Sequence, residues 1–169
     1  NADYSNIDNI TINGSQSLGN NMLLLVITDH SNISSVYSSD NYDGIDLYFS
    51  SSNTLTNITA NSNTWYGIYL SSSSSNTLTD ITANSNTLEG IYLKASSSNT
   101  FTDITTDSNS DYGIVIYNNS DNNIIANSTI SNNTNAGLYL EEDGSDDPEY
   151  NKIYNCLFNN SVNVKIDSG

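Results

Sequence analysis

Four acidic residues of this chain have the type and the spacing that sugar chemistry requires. Asp43 and Asp46 lie on either side of a glycine, and Glu89 and Asp111 each precede a later glycine of the same series. Enzymes that hydrolyse glycosidic bonds place two carboxyl groups about 5–9.5 Å apart across the bond. Asp43 with Asp46 and Glu89 with Asp111 are the candidate pairs, but neither repeats a known motif, so no catalytic residue is predicted.

Aromatic residues accompany these acids. The candidates for contact with a carbohydrate, or for lateral contact with another chain, are Trp65, Tyr66, Tyr69, Tyr92, Tyr112, Tyr117 and Tyr139. Their rings could stack on sugar faces, and Tyr and Trp are also enriched where proteins meet. A third interpretation, cross-strand stacking that only stabilises the chain itself, stays open beside these two.

An acidic insertion, residues 141–149, offers a candidate metal site. Six of its nine residues are Asp or Glu. Oxygen ligands around a glycine turn suit Ca²⁺, and the candidate ligands are Glu141, Asp143, Asp146 and Asp147. The spacing does not match an EF-hand loop, so a solvated acidic loop is the alternative. Beyond this possible Ca²⁺, the sequence predicts no cofactor.

The single histidine and the single cysteine do not suggest a transition-metal centre. His30 and Cys156 are the only residues of their types. Two such ligands are too few for a zinc or copper site. Cys156 falls in a column of apolar residues, so we expect it to be a small buried hydrophobe.

The elements that must position these residues are set by a repeat. Glycines recur every 23 residues with one slip to 24, and each opens a short apolar–x–apolar strand. These glycines are Gly44, Gly67, Gly90, Gly113 and Gly137. A fixed period of this length is typical of a solenoid, in which each coil buries its apolar face only when the next coil stacks on it.

A second series of apolar residues runs in phase with the glycines. Its spacing of three and then two residues, as in Leu55, Ile58 and Ala60, requires a corner between two sheets. The corner positions hold Asn57, Asp80, Asp103, Asn127 and Asn155, which tolerate a left-handed backbone. A further column predicts a ladder of stacked amides: Asn53, Asn76, Asn99, Asn123 and Asn151.

Together these patterns predict an all-β chain, a parallel β-helix with three short strands in each coil. No segment has helical periodicity. We expect one β-solenoid domain over residues 1–169, with the insertion 141–149 and about seven coils. The coils should start near residues 7, 33, 55, 78, 101, 125 and 153.

The repeat resembles a known family. Residues 53–63 read Asn-Thr-Leu-Thr-Asn-Ile-Thr-Ala-Asn-Ser-Asn, and residues 67–70 read Gly-Ile-Tyr-Leu. This pattern resembles the right-handed, pectate-lyase-like β-helix repeats of the NosD type, over about residues 4–168. The resemblance implies a right-handed coil and an archaeal or bacterial protein of the cell surface. Relatives include sugar-processing enzymes, copper-site maturation factors and surface-layer components, so it implies a fold more than an activity.

The composition excludes several partners. Nineteen acidic residues against three lysines and no arginine give a net charge of −16, which disfavours binding to nucleic acid or to anionic lipid. No apolar run is long enough for membrane insertion. Eight Asn-x-Ser/Thr sites are candidates for N-glycosylation: Asn9, Asn13, Asn32, Asn57, Asn118, Asn127, Asn132 and Asn159. We therefore expect a secreted glycoprotein at the cell surface.

The leading functional expectation is structural. It is a building block of a filament, sheath or surface layer that associates with copies of itself. The alternative is a carbohydrate-binding module, and the third possibility is a polysaccharide-processing enzyme or a fragment of one. An enzyme is not expected, for two reasons. Polysaccharide lyases of this fold commonly use arginine as the base, and a rod with few long loops offers little to build a pocket that raises a carboxyl pKa.

Overall fold

A computed structural model describes residues 4–14, 23–142 and 147–167, and over these ranges the chain forms sixteen strands and no helix. The strands of the first half are β1 (Asn6–Asn13), β2 (Leu23–Val26), β3 (Asn32–Ser39), β4 (Ile45–Tyr48), β5 (Thr54–Asn61), β6 (Ile68–Ser71), β7 (Thr77–Thr82) and β8 (Ile91–Lys94). Those of the second half are β9 (Thr100–Asp107), β10 (Tyr112–Tyr117), β11 (Ile124–Ala126), β12 (Thr129–Ser131), β13 (Ala136–Glu141), β14 (Lys152–Tyr154), β15 (Leu157–Asn159) and β16 (Val164–Ile166).

The strands form two parallel sheets. The corner sheet has the order β1-β3-β5-β7-β9-β11-β14, with β12 and β15 beside it, and the glycine sheet has the order β16-β13-β10-β8-β6-β4-β2. Each strand pairs with its equivalent in the next coil, as Ile45 does with Ile68 and Ile68 with Ile91. The predicted parallel β-helix is confirmed. The described residues make about six turns of the solenoid, slightly fewer than the seven coils expected.

The core consists of aliphatic columns between the two sheets. Ile68 and Leu70 have no exposed surface, and Tyr69 between them is half-buried on the outside. The register stacks Leu55 on Leu78 and Ile58 on Ile81, all fully buried. Each coil therefore contributes the same few apolar atoms at the same height, as the sequence pattern predicted.

The corner residues have the predicted left-handed conformation, but the corner lies at a different place in the sheets than expected. Asn57, Asp80 and Asp103 have φ of 55°, 57° and 57°, and Asn127 and Asn155 have φ of 53° and 55°. In the earlier coils the corner lies within one strand, because β5 continues through Asn57 from Thr54 to Asn61. In the last coils it separates two strands, since β11 and β12 flank Asn127 and β14 and β15 flank Asn155, so the three strands per coil are distinct there. Both arms of the corner belong to one sheet throughout, which corrects the expectation of a corner between two sheets.

Side-chain amides connect each coil to the next. Asn76 Oδ1 accepts a hydrogen bond from the backbone N–H of Asn53 at 2.8 Å and from its Nδ2 at 3.2 Å. Asn76 in turn donates its backbone N–H to Asn99 Oδ1 at 2.8 Å and its Nδ2 to Ser50 O at 3.0 Å. The pattern continues through Asn123 to Asn151, so the predicted ladder is confirmed.

The structure contains two more ladders that the sequence analysis did not identify. One runs through Asn41, Asn63, Asn86, Asn109, Asn133 and Asn160. The other is made of serine hydroxyls, Ser50, Ser73, Ser96 and Ser120. The ladder through Asn63 and Asn86 also explains why a glycine recurs in each coil. A Cβ on Gly67 would lie 2.6 Å from Gly90 O and 2.8 Å from Asn86 Nδ2, so only glycine leaves room for the ladder.

We expect Asn76→Ala to lower the free energy of unfolding by about 2–4 kcal/mol, because it leaves buried backbone groups of Asn53 and Ser50 without partners. The matched control is Asn32→Ala, whose exposed side chain bonds only to Asn6 and should cost less than about 0.5 kcal/mol. Urea unfolding followed by circular dichroism measures both values. Equal costs would contradict the role of the ladder.

Candidate functional site

The candidate site lies on the outside of the glycine sheet, where three columns of side chains run along the rod. The residue before each glycine forms the first column, since Gly67 N–H donates to Glu89 O and Gly90 N–H to Tyr112 O. The other two columns are the outward residues of the strands, as the register Tyr69–Tyr92 and Tyr117–Glu141 shows. We define the aromatic–acidic face as Asp43, Asp46, Tyr66, Tyr69, Glu89, Tyr92, Asp111, Tyr112, Tyr117, Tyr139 and Glu141.

A continuous stack of rings occupies the middle of this face. Tyr66 stacks on Tyr92 with ring centroids 5.1 Å apart and an interplanar angle of 20°. Tyr69 contacts both rings, at 5.2 Å and 5.6 Å. Tyr117 lies 6.1 Å from Tyr92, which extends the stack across three coils. Trp65, 41 % exposed, continues it toward the first coils through its edge contact with Tyr66.

A second aromatic group lies toward the last coil. Tyr112 stacks on Tyr139 with ring centroids 4.7 Å apart. Lys165 Nζ lies 4.0 Å from the centre of the Tyr139 ring and donates a hydrogen bond to Tyr112 Oη at 3.3 Å. Tyr139 Oη donates to Asp167 Oδ2 at 2.5 Å. Burial and this hydrogen bond raise the pKa of Tyr139 to about 12.

Glu89 is the chemically most distinctive group of the face. Only 8 % of its surface is exposed, and its Oε2 has no hydrogen-bond partner. Burial, with the nearby negative charges of Asp111 and Glu141, raises the pKa of its carboxyl to about 7. In the first column Glu89 stands between Tyr66 and Tyr112. It is a carboxylic acid that holds a proton near neutral pH and can release it, as general acid catalysis requires.

A second acidic pair lies two coils away. Asp43 is 6 % exposed and accepts a hydrogen bond from Tyr66 N–H at 3.1 Å. Asp46 has a buried Oδ1 without a partner. Burial, and then the charge of Asp43, raise the pKa of Asp46 to about 6. This face therefore holds two centres where a carboxyl group can exchange a proton.

Tyr66 and Tyr92 act as neutral groups. Burial, with neighbouring acids and phenols, raises the pKa of Tyr66 and of Tyr92 far above the usual range. Their hydroxyls therefore stay protonated at all physiological pH values and cannot serve as phenolate bases. They supply flat rings and O–H donors, which are the groups that recognise the C–H faces and hydroxyls of sugars.

The structure brings together most of the predicted site residues. Six of the seven predicted aromatics belong to this face, and Trp65 contacts it through Tyr66. Both predicted carboxyl pairs lie within it, each coupled electrostatically. The sequence analysis did not single out Lys165 and Asp167, which complete the second aromatic group. A signal was available, because Lys165 continues the column of Tyr139 in the degenerate last coil.

Other predicted sites remain untested. Asp143 and Asp146 lie outside the described residues, while Glu141 ends β13 and Asp147 is exposed. Within the described part of the chain no three His, Cys, Asp or Glu side chains cluster as metal ligands. Calcium binding at the insertion stays a prediction. The glycosylation sites also stay predictions; their asparagines are exposed, except Asn118, which is half-buried.

Cys156 is less buried than expected. It is half-buried and packs against the end of the core, where its Sγ lies 3.6 Å from Ile125 O. The reason is its position in the last described coil, which has no further coil stacked on it. Within the described residues no helix is long and apolar enough to cross a membrane.

A family model now identifies the class of protein. The model described as "Periplasmic copper-binding protein (NosD)" matches residues 1–169. The chain therefore belongs to the NosD family, as its repeat pattern suggested. The search of curated proteins found no match to the chain.

The family description names copper, so the residues present would have to supply ligands for it. His30 stacks on Tyr4 at 5.2 Å in the first coils, whereas Cys156 lies in the last described coil. The two side chains are thus separated by most of the rod. Within the described residues the donor set does not fit a copper centre.

Several solved structures have the same fold. An alginate lyase from Paenibacillus sp. str. FPU-7 matches with a TM-score of 0.74 and 15 % identity, over 86 % of this chain and 55 % of that one. The periplasmic alginate epimerase AlgG matches at 0.70 and 13 %, over 98 % and 49 %. The A-module of the Azotobacter vinelandii mannuronan C-5 epimerase AlgE4 matches at 0.68 and 13 %, over 99 % and 56 %. This chain spans about half the length of each.

These comparisons correct the expectation that the chain is not an enzyme. The solved structures that share its fold are a lyase and epimerases. The physical premise that such a rod cannot raise a carboxyl pKa was wrong as well, because Glu89 is 8 % exposed and its burial raises its pKa to about 7.

We expect Glu89→Gln to stabilise the protein at high pH and not at low pH. The folded-state pKa of about 7 exceeds the value of 4.5 in the absence of the fold, so wild-type stability falls as pH rises from about 4.5 to about 7. The amide of the Glu89→Gln variant cannot ionise, so this loss of stability does not occur. The melting temperature of the variant should therefore exceed that of wild type at about pH 8 and equal it at about pH 4.

Asp107→Asn provides the opposite control. Hydrogen bonds from Ser131 and Ser108 lower the pKa of Asp107, so its ionised form stabilises the fold and this contribution is lost as pH falls. The asparagine variant should be less stable than wild type at about pH 8. A Glu89→Gln effect of the same sign at every pH would contradict the assigned pKa.

If the insertion 141–149 binds calcium, millimolar Ca²⁺ should raise the melting temperature, because a ligand of the folded state stabilises it by mass action. Replacement of Asp143, Asp146 and Asp147 by Asn should abolish the rise. Mg²⁺ at equal concentration controls for charge screening. A rise that survives the triple replacement would place the cation elsewhere.

Proposed function

We propose that this chain is the polysaccharide-binding and catalytic part of a polysaccharide-processing enzyme, and that the aromatic–acidic face is its working surface. The observation that carries the proposal is Glu89, a nearly buried carboxyl with a partnerless oxygen, set among stacked tyrosines on an exposed sheet. Structural carboxylates are normally paired, so one kept in this state is typical of a functional site. The enzymes found among solved structures of the same fold support it.

The rings give the face its binding capacity. Rings on consecutive coils present flat apolar area along the rod, spaced by the distance between coils, about 4.8 Å. A sugar chain is a repeating polymer, so a repeating surface contacts several of its units at once. Tyr66, Tyr69 and Tyr92 form the largest such patch, and Glu89 lies in the same coil as Tyr92.

Glu89 supplies the proton-transfer group. Its carboxyl is about half protonated at neutral pH, so it can donate a proton to a sugar oxygen and take one back in the same catalytic cycle. Asp111 and Glu141 are the charges coupled to it. Either of them is placed to act as the second carboxylate of a two-carboxylate reaction.

The proposed substrate also indicates where the protein acts. A location in the cell envelope or outside the cell suits a polysaccharide substrate and agrees with the periplasmic description of the family. Self-association into a filament or layer remains a prediction.

The test is a binding and activity screen on soluble polysaccharides. Tyr92→Ala should weaken retention in affinity electrophoresis at least about tenfold, because a buried ring contact is worth roughly 1–2 kcal/mol. Tyr37→Ala removes an exposed tyrosine of β3, on the corner sheet, and should leave retention unchanged. Glu89→Gln should retain the polymer but lose its conversion.

Retention that falls equally in the Tyr37 and Tyr92 variants would show that binding does not use this face. Full conversion by the Glu89→Gln variant would remove the proposed role of the carboxyl. Either result would refute the proposal in its present form.

A further inference from the structure

The charge of the aromatic–acidic face limits which polysaccharides it can accept. Along the glycine sheet, the carboxyl groups are Asp43, Asp46, Glu89, Asp111, Glu141 and Asp167. The lysines on the same sheet are Lys94 and Lys165. The remaining lysine, Lys152, begins β14 in the corner sheet. The face is therefore negative, and so is the chain as a whole, with a net charge of −16.

The two lysines of the face already have aromatic partners. Lys94 Nζ lies 5.7 Å from the centre of the Tyr117 ring. Lys165 Nζ lies over Tyr139 and donates to Tyr112 Oη. Cations held over rings stabilise the stack they cover. Neither lysine forms a bidentate clamp of the kind by which arginine holds carboxylates, and the chain has no arginine.

A polyuronate carries one carboxylate on every sugar unit, so a chain of it laid along this face would meet like charges at successive coils. Like charges brought together at a partly dry surface repel each other and oppose binding. Partial protonation of Glu89 near neutral pH removes less than one of the negative charges. An uncharged sugar chain meets no such penalty, and its hydroxyls can donate to the carboxylates that repel a uronate.

The unpaired acids of the face also favour an uncharged ligand. Asp46 Oδ1 and Glu89 Oε2 are buried acceptors with no hydrogen-bond partner among the described residues, so no donor offsets their negative charge beneath the surface. A uronate carboxylate brings a further acceptor and a further negative charge to this place, whereas the hydroxyls of an uncharged sugar can donate. The rings beside Glu89 take the C–H faces of the same sugar units.

We propose that the aromatic–acidic face takes an uncharged polysaccharide, and that a polyuronate is excluded from it by charge. The inference rests on the proposed function and deepens it by naming the substrate class. It also separates this chain from the alginate enzymes that share its fold, since alginate is a polyuronate.

The experiment uses one polymer in two charge states. Polygalacturonate and its carboxyl-reduced derivative have the same linkage and length, but only the first is charged. Affinity electrophoresis of the purified protein is run against both, and against galactomannan and xyloglucan as neutral polymers, at low salt with a chelator present to prevent bridging by calcium. We expect retention by at least one uncharged polymer and none by polygalacturonate or alginate.

A charge variant tests the reason for the exclusion. Asp111→Asn combined with Glu141→Gln removes two negative charges with little change in shape. We expect the variant to gain measurable retention by polygalacturonate, and higher salt to strengthen that retention because it screens the repulsion that remains. A variant that still takes only uncharged polymer would overturn the argument from charge.

The outcomes separate this inference from the proposed function. Retention of wild type by polygalacturonate, lost in Tyr92→Ala and unchanged in Tyr37→Ala, would overturn the substrate class and leave the binding face in place. Absence of retention by every polymer would overturn both. Retention by uncharged polymer, lost in Tyr92→Ala, supports both.

Discussion

The structure depends on keeping successive coils in register, and side-chain amides do much of this work. Each asparagine of the Asn53–Asn151 ladder accepts the backbone N–H of the coil before it, at positions where neighbouring strands have ended. A slip of one residue would turn every apolar column outward and break all three ladders together. The ladder through Asn63 further requires a glycine beside it in each coil, so the repeat is fixed by sterics as well as by hydrogen bonds.

Because the register is fixed, each outward residue has a defined place in its coil and column, and one substitution changes the outer surface at that place alone. The first column alternates acidic and aromatic residues, Asp43, Tyr66, Glu89 and Tyr112. Burial, with the charges of Asp111 and Glu141 one and two coils further on, raises the pKa of Glu89. A perturbed acid thus arises at one position of the repeat, where the residue types of neighbouring coils set its surroundings.

The sequence predicted the parallel β-helix, the glycine strands, the left-handed corners and one amide ladder, since each leaves a periodic signal in residue types. The ladders through Asn63 and Ser73 were missed because they sit in segments so rich in Ser and Asn that no position stands out. The residues of the face were predicted, but not the burial of Glu89. That burial depends on how side chains of neighbouring coils pack around the carboxyl, and residue spacing does not contain this information.

The amide ladders also bear on how the molecule ages. Asparagine deamidates when the backbone nitrogen of the next residue attacks its side-chain carbonyl carbon, and asparagine is among the residues depleted in heat-adapted proteins. In the ladder this attack is hindered on both sides. Thr77 N–H, which follows Asn76, is held at 2.9 Å by Asn53 O, and Asn76 Oδ1 is held by two donors of Asn53. The hydrogen bonds that set the register thereby protect the amides that make them. This lengthens the chemical lifetime of a chain that is rich in asparagine.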